Sequence, residues 1–244
     1  SSDLGLWPRQ KNKFYEDLEK HIHSIRFFEI TGGEPLMIKE QFSILRRCVE
    51  AGAAKNIEVH YNTNGTHYPE EAVKEIWPHF KRIEIAFSID DIGKRFEYQR
   101  HPAVWTEVDS NIKKFMSSGM NNLSTQVCTT LNFFNIWNID ELALTVKEWN
   151  PDFWYINILH HPVEFDIQQI PTELKQQIIA KLSKSPVYKN EIQTAIDYLN
   201  GNVEFGLKDW KSALTNKIKP IDKVREENFS DVFPDLNKVV GIYE

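Results

Sequence analysis

The chain alternates between short apolar runs and longer amphipathic stretches. The apolar runs are rich in Ile, Val, Phe and Thr, a composition typical of buried parallel strands. Five such runs predict strands, at residues 24–31, 57–63, 83–89, 123–131 and 153–159.

The amphipathic stretches between these runs predict helices at residues 38–51, 69–77, 105–118 and 136–149. Gly52 and Gly119 follow two of them, where a C-terminal cap is expected. A further stretch at 12–23 precedes the first strand, and we interpret it as the helix of a unit whose strand lies upstream of Ser1. Repeated βα units predict an α/β fold, here a partial (β/α)6 TIM-like barrel that lacks its first strand.

The pattern changes after residue 159. Helices are predicted at 172–183, 187–200 and 203–218, and residues 229–244 mix aromatic and apolar side chains around Pro234. We therefore expect two parts: a barrel at 1–165, incomplete at its N-terminus, and a helical C-terminal extension at 166–244.

Composition and charge narrow the classes of function. Hydrophobic residues make up 41% of the 244 residues, enough for a packed core, and the net charge of −6 argues against a nucleic-acid partner. No apolar run approaches the roughly 20 residues of a membrane-spanning helix, so no membrane partner is expected. The two cysteines, Cys48 and Cys128, give no disulfide framework, which predicts a reducing, cytoplasmic location. Both are interpreted as small core residues.

The candidate chemistry lies where the predicted strands end, because ligands of parallel α/β folds bind at the carboxyl ends of the strands. Small polar residues or glycines occupy these ends at 31–34, 62–66, 88–91, 129–132 and 157–161. In Gly32-Gly33-Glu34-Pro35 the glycines allow close approach of the backbone to a ligand, and the carboxylate can accept from an ammonium group. The alternative is structural: a strand-to-helix turn here, a turn at Asn64-Gly65, and a loop at Asp90-Asp91.

Histidines raise a different possibility. His21-Ile22-His23 resembles the His-x-His pair of metal-dependent barrel hydrolases, but it precedes its strand and so falls at the opposite face from the expected site. His160 and His161 follow a strand. A hydrolase would need one of them to converge with a carboxylate such as Asp90 on one metal.

Taken in order, the strand ends resemble the radical S-adenosylmethionine enzymes, in particular the subgroup with a twitch-type C-terminal region. Residues 31–35 are similar to the family's GGEP motif, and Thr63-Asn64-Gly65 is similar to its TNG strand end. Further similarities are to SIDG…RFEYxR…W (88–91, 95–100 and Trp105), to the last strand (157–160) and to NF…FPEL (228–229 and 233–236). Asp91 stands where the SIDG pattern has its glycine.

The resemblance implies reductive cleavage of S-adenosyl-L-methionine at a [4Fe–4S] cluster, which gives a 5′-deoxyadenosyl radical that acts on a substrate. Glu34, with Gly32 and Gly33, would hold the methionine ammonium, Ser88 and Asp90 would meet the ribose or carboxylate, and 157–159 would frame the adenine. The implied cofactor-binding residues are Gly32, Gly33, Glu34, Pro35, Thr63, Asn64, Ser88, Asp90, Asn157 and Leu159. No residue of the chain is assigned a catalytic or metal-ligating role.

One departure from the family is large, because the Cys-x3-Cys-x2-Cys loop that binds the cluster is missing. We expect these ligands upstream of Ser1, so the chain alone would be inactive. Because two cysteines cannot complete an auxiliary cluster either, we expect the twitch-like region to be free of clusters. A reductant such as flavodoxin or ferredoxin is implied, and a peptide substrate is suggested only by analogy. The alternative is a cluster-free barrel that binds a ligand or partner without catalysis; the sequence upstream of Ser1 would discriminate.

Overall fold

The computed structural model describes residues 11–201 and 206–243, whose centre is a five-stranded parallel sheet. The strands follow one another in the order β1-β2-β3-β4-β5. Their bounds are β1 (Phe27–Ile30), β2 (Glu58–Thr63), β3 (Arg82–Ser88), β4 (Leu123–Leu131) and β5 (Phe153–Ile158). All five predicted strands are present. β1 is shorter than predicted because Ser24 belongs to a 3₁₀ turn, Ile22–Ser24.

The sequential strand order explains why the sheet is a partial barrel. Each crossover between parallel strands is right-handed, so an order without reversal puts every crossover helix on the same face of the sheet. Within the described residues, no crossover helix then covers the other face, which we call the inner face. The α/β partial-barrel class predicted from the sequence is thereby confirmed.

The helices around the sheet largely match the prediction. They are α1 (Lys11–His21), α2 (Lys39–Glu50), α3 (Gly93–Gln99), α4 (Trp105–Met116) and α5 (Ile139–Trp149). Short 3₁₀ turns lie at Pro35–Met37, Ala54–Asn56, Trp77–His79, Ile136–Asn138, Val163–Phe165 and Ile167–Gln169. The predicted helix at 69–77 contains a π-helical turn, Ala72–Ile76. The sequence analysis did not predict α3, which begins at Gly93 with φ of +57°.

In the described part of the chain, five helices follow the sheet. They are α6 (Thr172–Leu182), α7 (Lys189–Leu199), α8 (Trp210–Arg225), α9 (Phe229–Val232) and α10 (Pro234–Val240). The predicted bounds 203–218 were wrong for α8, and residues 203–205 lie outside the described part. Asp209 caps α8 by accepting from the Ser212 amide at 3.0 Å. The helix also continues past Pro220, which is exposed to solvent.

The two faces of the sheet differ in polarity. Side chains that point to the helices are apolar and buried, as Val59, Ile83, Ile85 and Phe87 show. Paired rows on the inner face are polar instead: Glu29, His60 and Glu84 in one row, and Ser88, Cys128 and Tyr155 in another. A closed barrel fills its interior with branched apolar side chains, so this inner face is suited to a polar ligand rather than to a core.

An aromatic cluster joins the C-terminal helices to the rest of the molecule. Tyr98 of α3 and Phe134, which follows β4, pack against Phe229 and Phe233 with ring centroids 5.3–6.4 Å apart. Asp222 of α8 is buried beneath the cluster. Its carboxylate accepts from the Tyr98 hydroxyl at 2.7 Å, the Phe229 amide at 2.8 Å and the Tyr243 hydroxyl at 2.8 Å.

Candidate functional site

The Gly32-Gly33-Glu34 turn lies at the carboxyl end of β1 and depends on its glycines for its backbone shape. Their φ angles are +92° and +56°, in the region that L side chains rarely adopt. A Cβ at either position would meet no atom within 4 Å. The space over this turn is therefore open, which a ligand that approaches the backbone would require.

Glu34 links the ends of β1 and β2. Its Oε1 accepts from the Thr63 hydroxyl at 2.6 Å and from the Leu36 amide at 3.2 Å, and its Oε2 accepts from the Asn64 amide at 2.9 Å. Since a carboxylate offers about four lone-pair positions, these bonds leave Oε2 able to accept once more. Pro35 is buried and begins the turn Pro35–Met37 that follows.

The Thr63-Asn64-Gly65 segment is a structured turn in its own right. The Asn64 side chain accepts from the Thr66 amide at 2.9 Å and the Thr66 hydroxyl at 2.6 Å, so this side chain shapes the loop while its backbone amide serves Glu34. Gly65 has φ of +76°, and a Cβ there would lie 3.1 Å from Val108. The turn predicted at Asn64-Gly65 is therefore present at the end of β2.

Ser88 and Asp90 lie at the end of β3 and differ in their surroundings. The half-buried Ser88 faces the inner side, whereas Asp90 is buried. Asp90 Oδ2 accepts from Arg100 Nε at 2.8 Å and pairs with Arg100 Nη2 at 2.6 Å, and its Oδ1 accepts from the Thr130 amide at 2.8 Å. Asp90 thus fixes the Arg100 guanidinium beside the strand ends. Arg100 ends the stretch that is similar to RFEYxR, but it was not among the site residues predicted from the sequence.

Asp91, which stands where the family pattern has glycine, accepts hydrogen bonds from residues of α3 and from the residue before it. The carboxylate accepts from the Ile92 amide at 2.8 Å, Arg95 Nε at 3.0 Å and Gln99 Nε2 at 3.2 Å. Burial raises the pKa of Asp91 to about 7, against the lowering effect of Arg95. These contacts give the departure from the pattern a structural role.

At the end of β5, Asn157 is exposed and Leu159 is half-buried. Asn157 Nδ2 donates to Cys128 Sγ at 3.3 Å, and the Leu159 amide donates to the Leu131 carbonyl at 3.0 Å. The interpretation of Cys48 as a core residue is confirmed, since it is fully buried. For Cys128 that interpretation was wrong: the residue is only half-buried and belongs to the polar inner face, because its place in β4 alternates with the buried Val127 and Thr129.

The histidines do not form the arrangement that a metal-dependent hydrolase needs. His160 Nδ1 lies 2.9 Å from the Tyr198 hydroxyl and 3.6 Å from Asp166, while Asp90 is engaged by Arg100. His160 and Asp90 are thus each engaged by other side chains. Across residues 11–201 and 206–243 there is no group of three or more His, Cys, Asp or Glu side chains placed to hold a metal ion.

The described residues form an α/β partial barrel. Polar groups at the carboxyl ends of its parallel strands make up the candidate site. Residues 7–147, more than half of the chain, match the Radical SAM superfamily. The chain therefore belongs to the radical SAM superfamily. No curated protein matches it.

Solved structures with this fold include one described as native anSMEcpe with bound AdoMet. It matches with a TM-score of 0.52 and 18% identity over 86% of this chain and 57% of that one. A second, native anSMEcpe with bound AdoMet and Cp18Cys peptide, matches with a TM-score of 0.49 and 16% identity over 84% and 57%. The chain thus spans little more than half the length of these structures, and the likeness to the first of them shows the fold. Among the described residues, no helix has the length and apolar character to cross a membrane.

Proposed function

We propose that this chain is the S-adenosylmethionine-binding part of a radical SAM enzyme that cleaves its cofactor reductively and acts on an unidentified substrate. Family membership supports the class of reaction. The observation that carries the proposal is the open turn at Gly32 and Gly33, where two glycines with positive φ leave space beside a carboxylate that can accept one more hydrogen bond.

The residues at the strand ends fit the polar groups of S-adenosylmethionine. Glu34 would accept from the methionine ammonium, with Thr63 and the Asn64 backbone holding its carboxylate in place. Arg100, fixed through Nε and Nη2 by Asp90, would meet the methionine carboxylate, and the Ser88 hydroxyl would meet the ribose. Asn157 and Leu159 would frame the adenine. When bound, the cofactor supplies the 5′-deoxyadenosyl group whose radical form removes a hydrogen atom from the substrate.

The cysteines of this chain do not fit a [4Fe–4S] cluster. Such a cluster needs several thiolates close together, whereas Cys48 is buried in α2 and Cys128 lies on β4. We propose that the cluster ligands lie outside this chain. A flavodoxin- or ferredoxin-type reductant, a twitch-like role for residues 166–244 and a peptide substrate belong to the proposal on the family resemblance alone.

The test compares two glycines that differ only in position. Gly33 and Gly52 both have positive φ, +56° and +69°, and a Cβ at either would meet nothing within 4 Å. Alanine should therefore cost a similar conformational strain of about 1–2 kcal/mol at each. Gly52 follows α2, at the end of the sheet away from the site, so only Gly33→Ala should place a methyl group where the ligand approaches.

In the complete, cluster-containing enzyme, we expect Gly33→Ala to lower the affinity for S-adenosylmethionine in calorimetric titration and Gly52→Ala to leave it unchanged. Thermal melts should show similar stability losses for both. Equal affinities in the two variants would contradict a ligand at this turn. If the complete enzyme contains no iron and sulfide, the alternative of a cluster-free binding barrel would be favoured instead.

A further inference from the structure

A row of three side chains on the inner face carries exchangeable hydrogens next to the candidate site. Ser88 pairs in register with Cys128, and Cys128 pairs in register with Tyr155. Neighbouring strands are about 4.8 Å apart, so the Cys128 side chain lies one strand away from Ser88, a residue proposed to contact the cofactor. Cys128 is thus part of the wall of the candidate site.

Polar groups surround the Cys128 thiol. Asn157 Nδ2 donates to Cys128 Sγ at 3.3 Å, and the Tyr155 hydroxyl is hydrogen-bonded to the same sulfur. Asp90 and Arg100 are close enough for their charges to act on the thiol as well. Burial raises the pKa of Cys128, and the hydrogen bond from Tyr155 opposes that rise only in part. The residue therefore keeps its S–H hydrogen at neutral pH.

The contrast with Cys48 shows that this arrangement is more than packing. Cys48 of α2 is fully buried among apolar neighbours on the helix side of the sheet. Cys128 faces the open side, is partly exposed, and is held by a phenol and an amide from the adjacent strand. Two polar groups thus hold a neutral thiol on the inner face, on which the candidate site lies.

We propose that Cys128 is a catalytic residue that donates a hydrogen atom to a carbon radical in this site, with Tyr155 and Asn157 as positioning residues. This inference rests on the proposed function. In the step, the S–H bond breaks and a C–H bond forms, which leaves one unpaired electron on sulfur. One electron from a flavodoxin- or ferredoxin-type protein and one proton from solvent restore the thiol.

The first experiment tests where Cys128 lies and needs no turnover. The complete, cluster-containing enzyme is treated with N-ethylmaleimide, with and without S-adenosylmethionine, and labelling is followed by peptide mass spectrometry. We expect the cofactor to slow labelling of Cys128, while the buried Cys48 stays unlabelled in both samples. Labelling of Cys128 at the same rate in both samples would overturn its placement in the site.

The second experiment tests hydrogen-atom donation without a substrate. The enzyme is reduced in D₂O with S-adenosylmethionine, and the 5′-deoxyadenosine formed is analysed by mass spectrometry. Because a thiol exchanges its hydrogen with solvent, we expect deuterated product from the wild type and from Cys48→Ala. Cys128→Ala and Cys128→Ser should lose the deuterium, since a serine O–H bond is too strong to donate. Tyr155→Phe should lower the deuterated fraction without removing the protection from maleimide.

The outcomes separate the two proposals. Absence of 5′-deoxyadenosine from the wild-type reaction would contradict the proposed function itself. Product that forms but carries no deuterium, or that keeps its deuterium in both Cys128 variants, would overturn the role of Cys128 while leaving the proposed function standing. Melting curves of the variants exclude unfolding as the cause of a lost label.

Discussion

Glu34 holds the ends of two strands together, and under the proposed function the same carboxylate would also bind the cofactor. It accepts three hydrogen bonds from Thr63, Asn64 and Leu36. In Glu34→Gln, an amide NH₂ would replace one acceptor and face a donor. We expect the free energy of unfolding to fall by about 1–3 kcal/mol and the affinity for S-adenosylmethionine to fall about ten- to a hundredfold. Denaturant titration and calorimetry of the complete enzyme would measure both effects.

Two further variants separate these tasks. Thr63→Val removes a hydrogen bond to the same carboxylate but leaves its charge, so stability should fall while most of the affinity is kept. Glu71→Gln, at an exposed carboxylate paired with Arg46, should change neither quantity measurably. An equal loss of affinity in Thr63→Val and Glu34→Gln would mean that Glu34 acts only through the turn.

Single residues of the candidate site were predictable from the sequence only where the backbone conformation calls for a particular residue type, such as glycine at positive φ. Gly32, Gly33 and Gly65 are such residues, since each has positive φ. The position of Cys128 on the inner face was not predictable, because a shift of one residue in strand register moves a side chain to the opposite face. The pair of Arg100 with Asp90 depends on the fold of 91–99 into α3, which the sequence analysis did not predict.

At the scale of elements, apolar runs in the sequence predicted all five strands of the described sheet, because buried parallel strands are made of apolar residues. The bounds of helices were predicted less well where a capping residue determines the start of the helix. The start of α8 is set by the cap Asp209, and the helix continues past the exposed Pro220. The contacts of α8 were beyond the sequence analysis, because Asp222 and Tyr98 are far apart in the chain and meet only in the folded molecule.

Asp222 tests how strongly α8 is tied to the barrel. Asp222→Ala would leave three donors, from Tyr98, Phe229 and Tyr243, without their acceptor in a buried place. We expect the free energy of unfolding to fall by about 3 kcal/mol or more, measured by urea denaturation. Asp235→Ala, an exposed residue of α10 paired with Lys238, is the control and should change stability by less than about 1 kcal/mol. Equal effects would mean that the buried acceptor contributes little.

At the scale of the whole molecule, the sequential strand order confines the site to one end and the inner face of the sheet. The strand ends of β1 and β2 are joined by Glu34, those of β3 and β4 by Asp90, and β4 and β5 by the contact of Asn157 with Cys128. The order of motifs along the sequence was enough to predict this edge, because parallel strands end together. The identity of the substrate was not predictable, since it depends on side chains that line the inner face.

The assignment of cluster ligands outside this chain gives a prediction for the molecule as a whole. In the complete enzyme, the double variant Cys48→Ala/Cys128→Ala should bind as much iron and sulfide as the wild type after anaerobic reconstitution. The reason is geometric: Cys48 is fully buried against the core and Cys128 is held by Asn157 and Tyr155, so neither is placed to ligate iron. Iron and sulfide analysis with the absorbance spectrum would measure it, with each single variant as a control. Loss of iron from either single variant would identify that cysteine as a ligand and would contradict the assignment.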